Sequence, residues 1–250
     1  MLGRQHEGET NMTQAYEAVI EVTHGDTTMR GFIVAPTGVG PHPTVMMFPG
    51  ATGAGPTFHA TARELAERGY MAIGVDMYGV TADISTPQAA GVHFDALLKA
   101  PERLRERVVT WFDAVRTHAD VDAKRVAAIG YCFGGKCVLE LARSGAAVRC
   151  VTSFHGLLET HAPARRGAFA GHAAIWTGGR DPYAPVEHLA DLRAEFDAAD
   201  IDYQATLFAK AQHSFTDPDH SGVAPGIAYD ALSHRTSWAG TLALLDHHLR

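Results

Sequence analysis

Residues 126–143 read Val-Ala-Ala-Ile-Gly-Tyr-Cys-Phe-Gly-Gly-Lys-Cys-Val-Leu-Glu-Leu-Ala-Arg: a short buried run, a glycine-rich turn, then a helical stretch. The turn itself, Gly130-Tyr131-Cys132-Phe133-Gly134-Gly135, has the form G-x-nucleophile-x-G between a strand and a helix. In that form the central residue sits on a strained bend and is exposed above a sheet, while the flanking glycines remove side chains that would clash there. A helix N-terminus also favours the thiolate over the thiol, whose ordinary pKa is about 8.5. The plain alternative is a buried cysteine beside a glycine turn, and the strand–turn–helix context argues against it.

Working outward, the same alternation repeats. Upstream, Val45–Phe48 is a buried run, and Phe58, Ala62, Leu65 and Ala66 fall on one helical face. A second run, 71–75, ends at Asp76, and Pro101 opens a helix with Leu104, Val108, Trp111, Phe112 and Val115 on one side. Downstream come strand-like runs at 148–154, 173–176 and 201–208, a helix marked by Leu189, Leu192 and Phe196, and a C-terminal helix carrying Trp238, Leu242, Leu245 and Leu249. Residues 17–23 and 29–34 flank His24-Gly25-Asp26, a hairpin signal. Residues 77–100 show no clean period and read as an irregular excursion over the sheet. This alternation predicts an α/β fold, a mainly parallel, doubly wound sheet with helices on both faces. We read residues 15–250 as a single domain and 1–14 as a disordered extension, with Met12 as an alternative start.

Composition narrows the function. The chain has 250 residues, 46% hydrophobic and 20% charged, and a single domain of that size buries roughly 75% of its unfolded surface. Three scattered cysteines make no disulfide framework, no CxxC pair suggests zinc, and free thiols fit a cytoplasmic location. The net charge is −7 without a basic run, which speaks against nucleic acid and anionic membrane as partners. No apolar stretch spans a bilayer, and the N-terminal segment lacks the apolar core of a signal peptide. A homodimer is left open.

A nucleophile on such a turn calls for an acid and then a histidine, each after a later strand. The run 174–179 leads into Arg180-Asp181-Pro182, and the run 201–208 leads into Ala211-Gln212-His213-Ser214-Phe215. Asp181 and His213 therefore emerge, like Cys132, at the C-terminal ends of strands, where open α/β sheets bind ligands. Any one Asp or His among 28 acidic residues and 15 histidines says little; the order Cys, Asp, His at three strand ends says much more.

Together GYCFGG, GRDP and AQHSFTDP resemble the dienelactone hydrolase family of α/β-hydrolases, over residues of about 17–249. Within it, the spacings are similar to those of a metagenome-derived member acting on phosphotriesters and aryl esters. The resemblance implies Cys132 as nucleophile, His213 as base, Asp181 as orienting acid, no cofactor and no metal. It implies an oxyanion hole from the backbone N–H groups of Phe133 and Ala51. It also exposes two departures: family members acting on dienelactone carry a glutamate where this chain has Gly50, and an arginine where it has Asp217. A carboxylate facing a substrate carboxylate is unfavourable, so neutral esters and lactones fit better than dienelactone itself. Without the glutamate, Cys132 is expected to pair with His213 before substrate arrives. Gly50, Gly53 and Gly55 leave room for tetrahedral phosphotriesters.

Tyr78, His93, Phe94 and His155 are further pocket candidates, with ordinary packing as the alternative for each. Gly50-x-x-Gly53-x-Gly55 imitates a dinucleotide fingerprint in the wrong glycine order. Metal hydrolysis lacks an HExxH. A thiol-redox role lacks a resolving partner, since Cys137 lies five residues from Cys132 and, like Cys150, reads as a small core residue. A non-catalytic binding protein on the same scaffold would not need all three positions filled.

Overall fold

The computed structural model describes residues 16–250; the expected extension 1–14 lies outside the described residues. The chain runs β1 (Tyr16–His24), β2 (Thr27–Ala35), β3 (His42–Phe48), α1 (Pro56–Glu67), β4 (Met71–Gly74), α2 (Pro87–Leu98), α3 (Pro101–Arg116) and β5 (Val121–Tyr131). It continues through α4 (Phe133–Arg143), β6 (Cys150–Phe154), β7 (His172–Gly178), α5 (Val186–Ala199), β8 (Asp202–Phe208), a 3₁₀ turn (Pro218–His220) and α6 (Ala231–Leu249). Eight strands form one sheet in the order β1-β2-β4-β3-β5-β6-β7-β8. The pairs β1–β2 and β2–β4 are antiparallel and the other five are parallel. This is the mainly parallel sheet that the alternation of runs predicts, and it agrees with the α/β-hydrolase fold that the resemblance implies.

Period-2 alternation sorts the strand residues into two cores. On one face Met46, Phe48, Ile73 and Ala128 pack under Val108, Val138 and Leu192 of α3, α4 and α5. On the other Val45, Met47, Ala72 and Ile129 pack under Phe58, Leu65, Leu245 and Leu249 of α1 and α6. Central strands covered on both sides must be apolar throughout, and Val45–Phe48 are all fully buried.

The structure departs from the sequence reading in two places. Residues 87–98 form a helix, where an irregular excursion is expected. Thr86 caps it, its hydroxyl accepting from Ala89 N at 3.1 Å, with Pro87 in the first turn. Only Ala90 and Leu97 of this helix are buried, so it shows no apolar stripe to read. In α6 the buried line is Ser233, Ser237, Thr241, Leu245 and Leu249, with Trp238 and Leu242 partly covered beside it. The polar upper half of that line is accommodated because Thr241 Oγ1 accepts from Trp176 Nε1 at 3.1 Å, and Gly240 lies close under the same ring.

Candidate active site

Cys132 follows β5 and caps α4 with φ 53 and ψ −113, a left-handed strain that a non-glycine residue holds only when its surroundings enforce it. They do so through contacts no side chain would permit. A Cβ on Gly130 would lie 2.0 Å from Gly134 O, and one on Gly134 would lie 2.0 Å from Phe48 O. The backbone of the bend is held by Cys132 N–H donating to Phe154 O at 3.0 Å and Lys136 N–H donating to Cys132 O at 3.2 Å. Helix α4 is anchored beneath by buried Glu140, which pairs with Arg143 at 3.1 Å and with Arg105 of α3.

Asp181 and His213 are brought to the bend by close approach of two loops. Gly178 and Gly179, ending β7, leave no room for a Cβ against the backbone of Ala211 and Ala209. Arg180 N–H donates to Ala211 O at 2.9 Å. His213 is held through its own backbone, donating to Gly226 O at 2.9 Å and accepting from Ala228 N–H at 3.1 Å. His213 Nδ1 then donates to Asp181 Oδ2 at 2.8 Å, with both side chains almost fully buried. The second Asp181 oxygen accepts from the backbone N–H groups of Tyr183 and Ala184 at 2.8 and 3.1 Å, which locks the carboxylate.

Electrostatics at the thiol follow from this geometry. Burial pushes the Cys132 thiol up, but the His213 charge, a hydrogen bond to His213 and the backbone N–H groups of Phe133 and Ala51 outweigh it, so the thiol lies below its ordinary value. Burial disfavours the charged form of His213, while Cys132 and Asp181 favour it more strongly and push it up to about 10. Thiolate and imidazolium therefore support each other with no ligand bound.

The backbone N–H groups of Phe133 and Ala51 lie near enough to the Cys132 sulfur to help lower its pKa. Ala51 is aimed by a turn in which Gly53 N–H donates to Gly50 O at 3.0 Å, orienting the peptide that carries the Ala51 N–H. Its own carbonyl accepts from Tyr78 Oη at 2.8 Å. Tyr78 in turn stacks on Phe133 (centroids 5.8 Å, 14° between planes). Its loop is pinned by Asp76, which accepts from Tyr78 N and Gly79 N, and by Arg107 and Trp111 of α3, which donate to Met77 O and Asp76 O.

A cavity of about 490 Å³ opens over Cys132 and His213. Gly50, Phe94 and His155 line it. Tyr78 does not: it lies behind the Ala51 loop, lining a second cavity of about 330 Å³. His93 lines neither cavity, packing instead against Tyr78 at 5.8 Å. His155 (φ 40) is buried with Nε2 2.8 Å from Thr216 Oγ1 and its ring edge-on to His213 at 5.2 Å. Burial and the neighbouring His213 charge keep it well below the ordinary histidine value, hence neutral. Sequence reasoning passed over Tyr183, whose ring lies 4.8 Å from His213, and His220, which pairs at the cavity wall with the Asp217 that the family pattern had marked. GRDP followed by an aromatic was the available signal for the first; nothing local marked the second. Among the described residues no group of three or more His, Cys, Asp or Glu is arranged to hold a metal ion, and no helix is long and apolar enough to cross a membrane.

Comparison with known proteins gives a consistent frame. Residues 29–249 match the family described as the dienelactone hydrolase family. A solved dienelactone hydrolase-like promiscuous phosphotriesterase from metagenomic libraries is 31% identical, with a TM-score of 0.87 over 95% of this chain and all of that one. A solved structure named m3DLH is also 31% identical, with a TM-score of 0.87 over 94% of this chain and 99% of its own. A Bradyrhizobium protein named as a probable 2-oxo-3-(5-oxofuran-2-ylidene)propanoate lactonase is 22% identical over 236 residues, 91% of this chain and 92% of its own.

Proposed function

The chain belongs to the dienelactone hydrolase family and is a hydrolase, and from that premise we propose that Cys132, His213 and Asp181 cleave activated carboxylic esters and lactones through a covalent cysteinyl intermediate. Phosphotriesters are a further substrate class. The observation that carries the reading is the convergence of the buried Asp181–His213 pair and two backbone N–H groups on one strained cysteine.

The Cys132 thiolate attacks the ester carbonyl, and the oxyanion is received by the N–H groups of Phe133 and Ala51, each such donor being worth about 10²–10³ in rate. The tetrahedral species collapses to a thioester as the leaving group departs; an alkoxide takes the His213 proton directly, an aryloxide leaves as the anion while His213 gives its proton to solvent, and His213 is neutral on either branch. Neutral His213 then removes a proton from water, the resulting hydroxide attacks the thioester, and the acid departs as the Cys132 thiolate and His213 imidazolium are restored. Asp181 keeps the imidazole in the tautomer with Nδ1–H and stabilises its charged form throughout. On a phosphotriester the same thiolate displaces aryloxide at phosphorus, and thiolate is a better leaving group than alkoxide when water attacks the thiophosphoryl intermediate.

Gly50 leaves the thiol free of a competing carboxylate, and Asp217 in the cavity wall disfavours dienelactone, whose carboxylate it would meet. A thiol-redox role is disfavoured because Cys137 is buried with its thiol pushed well up by desolvation. We further propose that residues 15–250 act as one domain in the cytoplasm, without cofactor.

The test compares wild type with Cys132→Ala on an aryl ester and an aryl phosphotriester, with intact mass after partial turnover. Loss of both activities, and an adduct of acyl or dialkylphosphoryl mass in wild type, are expected. An unchanged rate in the variant would remove the mechanism. Stoichiometric, irreversible inactivation by the phosphotriester without product would remove that substrate class alone.

A further inference from the structure

Among the described residues, the cavity over Cys132 is lined by one carboxylate, Asp217, and by neither lysine nor arginine. That carboxylate is fixed. Its Oδ2 accepts from His220 Nδ1 at 2.6 Å and its Oδ1 accepts from Asp219 N–H at 2.9 Å. With His220 Nδ1 against Asp217, the other ring nitrogen faces Thr52 Oγ1 at 3.5 Å, next to the proposed oxyanion residue Ala51. Both His220 and Asp217 keep part of their side-chain surface exposed. Among the described residues, no lysine or arginine of the wall offsets the Asp217 charge. His155 and His234, the remaining lining histidines outside the triad, are held below the ordinary histidine value by burial. The His213 charge is already matched by Cys132 and Asp181.

We propose that Asp217, held in place by His220, determines substrate selection in this cavity and favours esters bearing a protonated amino group over esters bearing a carboxylate. The ammonium would be drawn to the Asp217 charge, and a carboxylate would be repelled by it. This inference rests on the ester-cleaving reading above. Opposite or like unit charges about 7 Å apart, at an effective dielectric of about 50 between that of a surface pair and bulk water, shift binding by roughly fivefold in either direction. An ammonium-to-carboxylate ratio of about 25 is the product.

Three aryl esters of matched length, ending in an amino, a methyl or a carboxylate group, test it on the full chain at pH 8, above the ordinary histidine range. The expected ratio of kcat/KM for the ammonium over the carboxylate ester is about 25 at low salt, shrinking in high salt by screening. In Asp217→Asn it falls to within about threefold, and Asp217→Glu retains it. A wild-type ratio near one, or a ratio unchanged in Asp217→Asn, overturns the inference; should that variant not fold, a wild-type ratio insensitive to salt does so instead. Failure to cleave the methyl-ended ester would count against the triad reading instead, and the charge preference is then decided by the Kd values of the three matching amides.

Discussion

Replacing Tyr78 by phenylalanine removes one oxygen and leaves the ring. The ring is buried, stacked on Phe133 and touched by His93, so Tyr78→Phe opens no cavity. What it removes is the 2.8 Å hydrogen bond to Ala51 O, a bond the phenol can make at any working pH because burial pushes its ionisation well up. The Ala51 carbonyl is left without that partner, at a cost of about 1–3 kcal/mol, or roughly 2–12 °C in Tm for a chain of this size. The Gly50–Gly53 turn still aims the Ala51 N–H, so the donor is loosened and not lost. Complete loss of an oxyanion donor costs about 10²–10³ in kcat; loosening one is expected to lower kcat about tenfold with KM within twofold. Steady-state kinetics on an aryl ester, with thermal melts of both proteins, read the two effects separately. A kcat unchanged beside a lowered Tm would refute the claim that Tyr78 supports the oxyanion loop and would leave it a packing residue. A raised KM at constant kcat would instead place its effect on uniform substrate binding.

Three further outcomes follow from the same geometry. Asp181→Asn loses the acceptor that holds the His213 tautomer, and kcat should fall by on the order of 10³–10⁴, with the alkylation rate of Cys132 by iodoacetamide at pH 6 falling in parallel; equal alkylation rates would contradict the ion pair. Because the thiol is shifted down and His213 up to about 10, the reactive pair is populated across neutral pH. Cleavage of an alkyl ester, whose leaving group needs the His213 proton, should therefore plateau near neutrality and decline only as pH approaches 10, whereas a fall centred near pH 6.5, the ordinary histidine value, would exclude the raised His213. Gly134→Ala would force a Cβ to 2.0 Å from Phe48 O, a clash of roughly 3 kcal/mol or more visible as a Tm drop of at least about 6 °C; a melt within a degree of wild type would mean that the bend can relax.

Much of this was legible from the chain alone, for identifiable reasons. The strand–turn–helix around Cys132 is encoded locally: glycines at 130, 134 and 135 serve a close backbone approach that any structure of this motif must make. The stripe Phe58, Ala62, Leu65, Ala66 and the stripe of α3 are buried where their period places them, since a helix burying one face must carry that face in its own sequence. Helix α2 escaped because it lies on the surface with two buried residues, leaving its cap and proline as the only local evidence.

Contacts between distant segments belonged to the tertiary structure. The order Cys132, Asp181, His213 could be read along the chain, but the 2.8 Å bond between Asp181 and His213 depends on Gly178 meeting Ala211 and on Gly226 pairing with His213. Tyr78 offered the same residue type to the solvent cavity or to the loop behind it, and the pinning of residues 76–79 by Arg107 and Trp111 selected the second. Asp217 was visible as a departure from a family pattern, yet its partner His220 and the absence of a lysine or arginine in that cavity wall were not. Local backbone demands leave their mark in residue type and spacing, whereas a cavity is the sum of side chains from loops that share no periodicity. The proposed nucleophile was therefore marked in the sequence itself, whereas the environment proposed to charge it and to select its substrate depends on the fold.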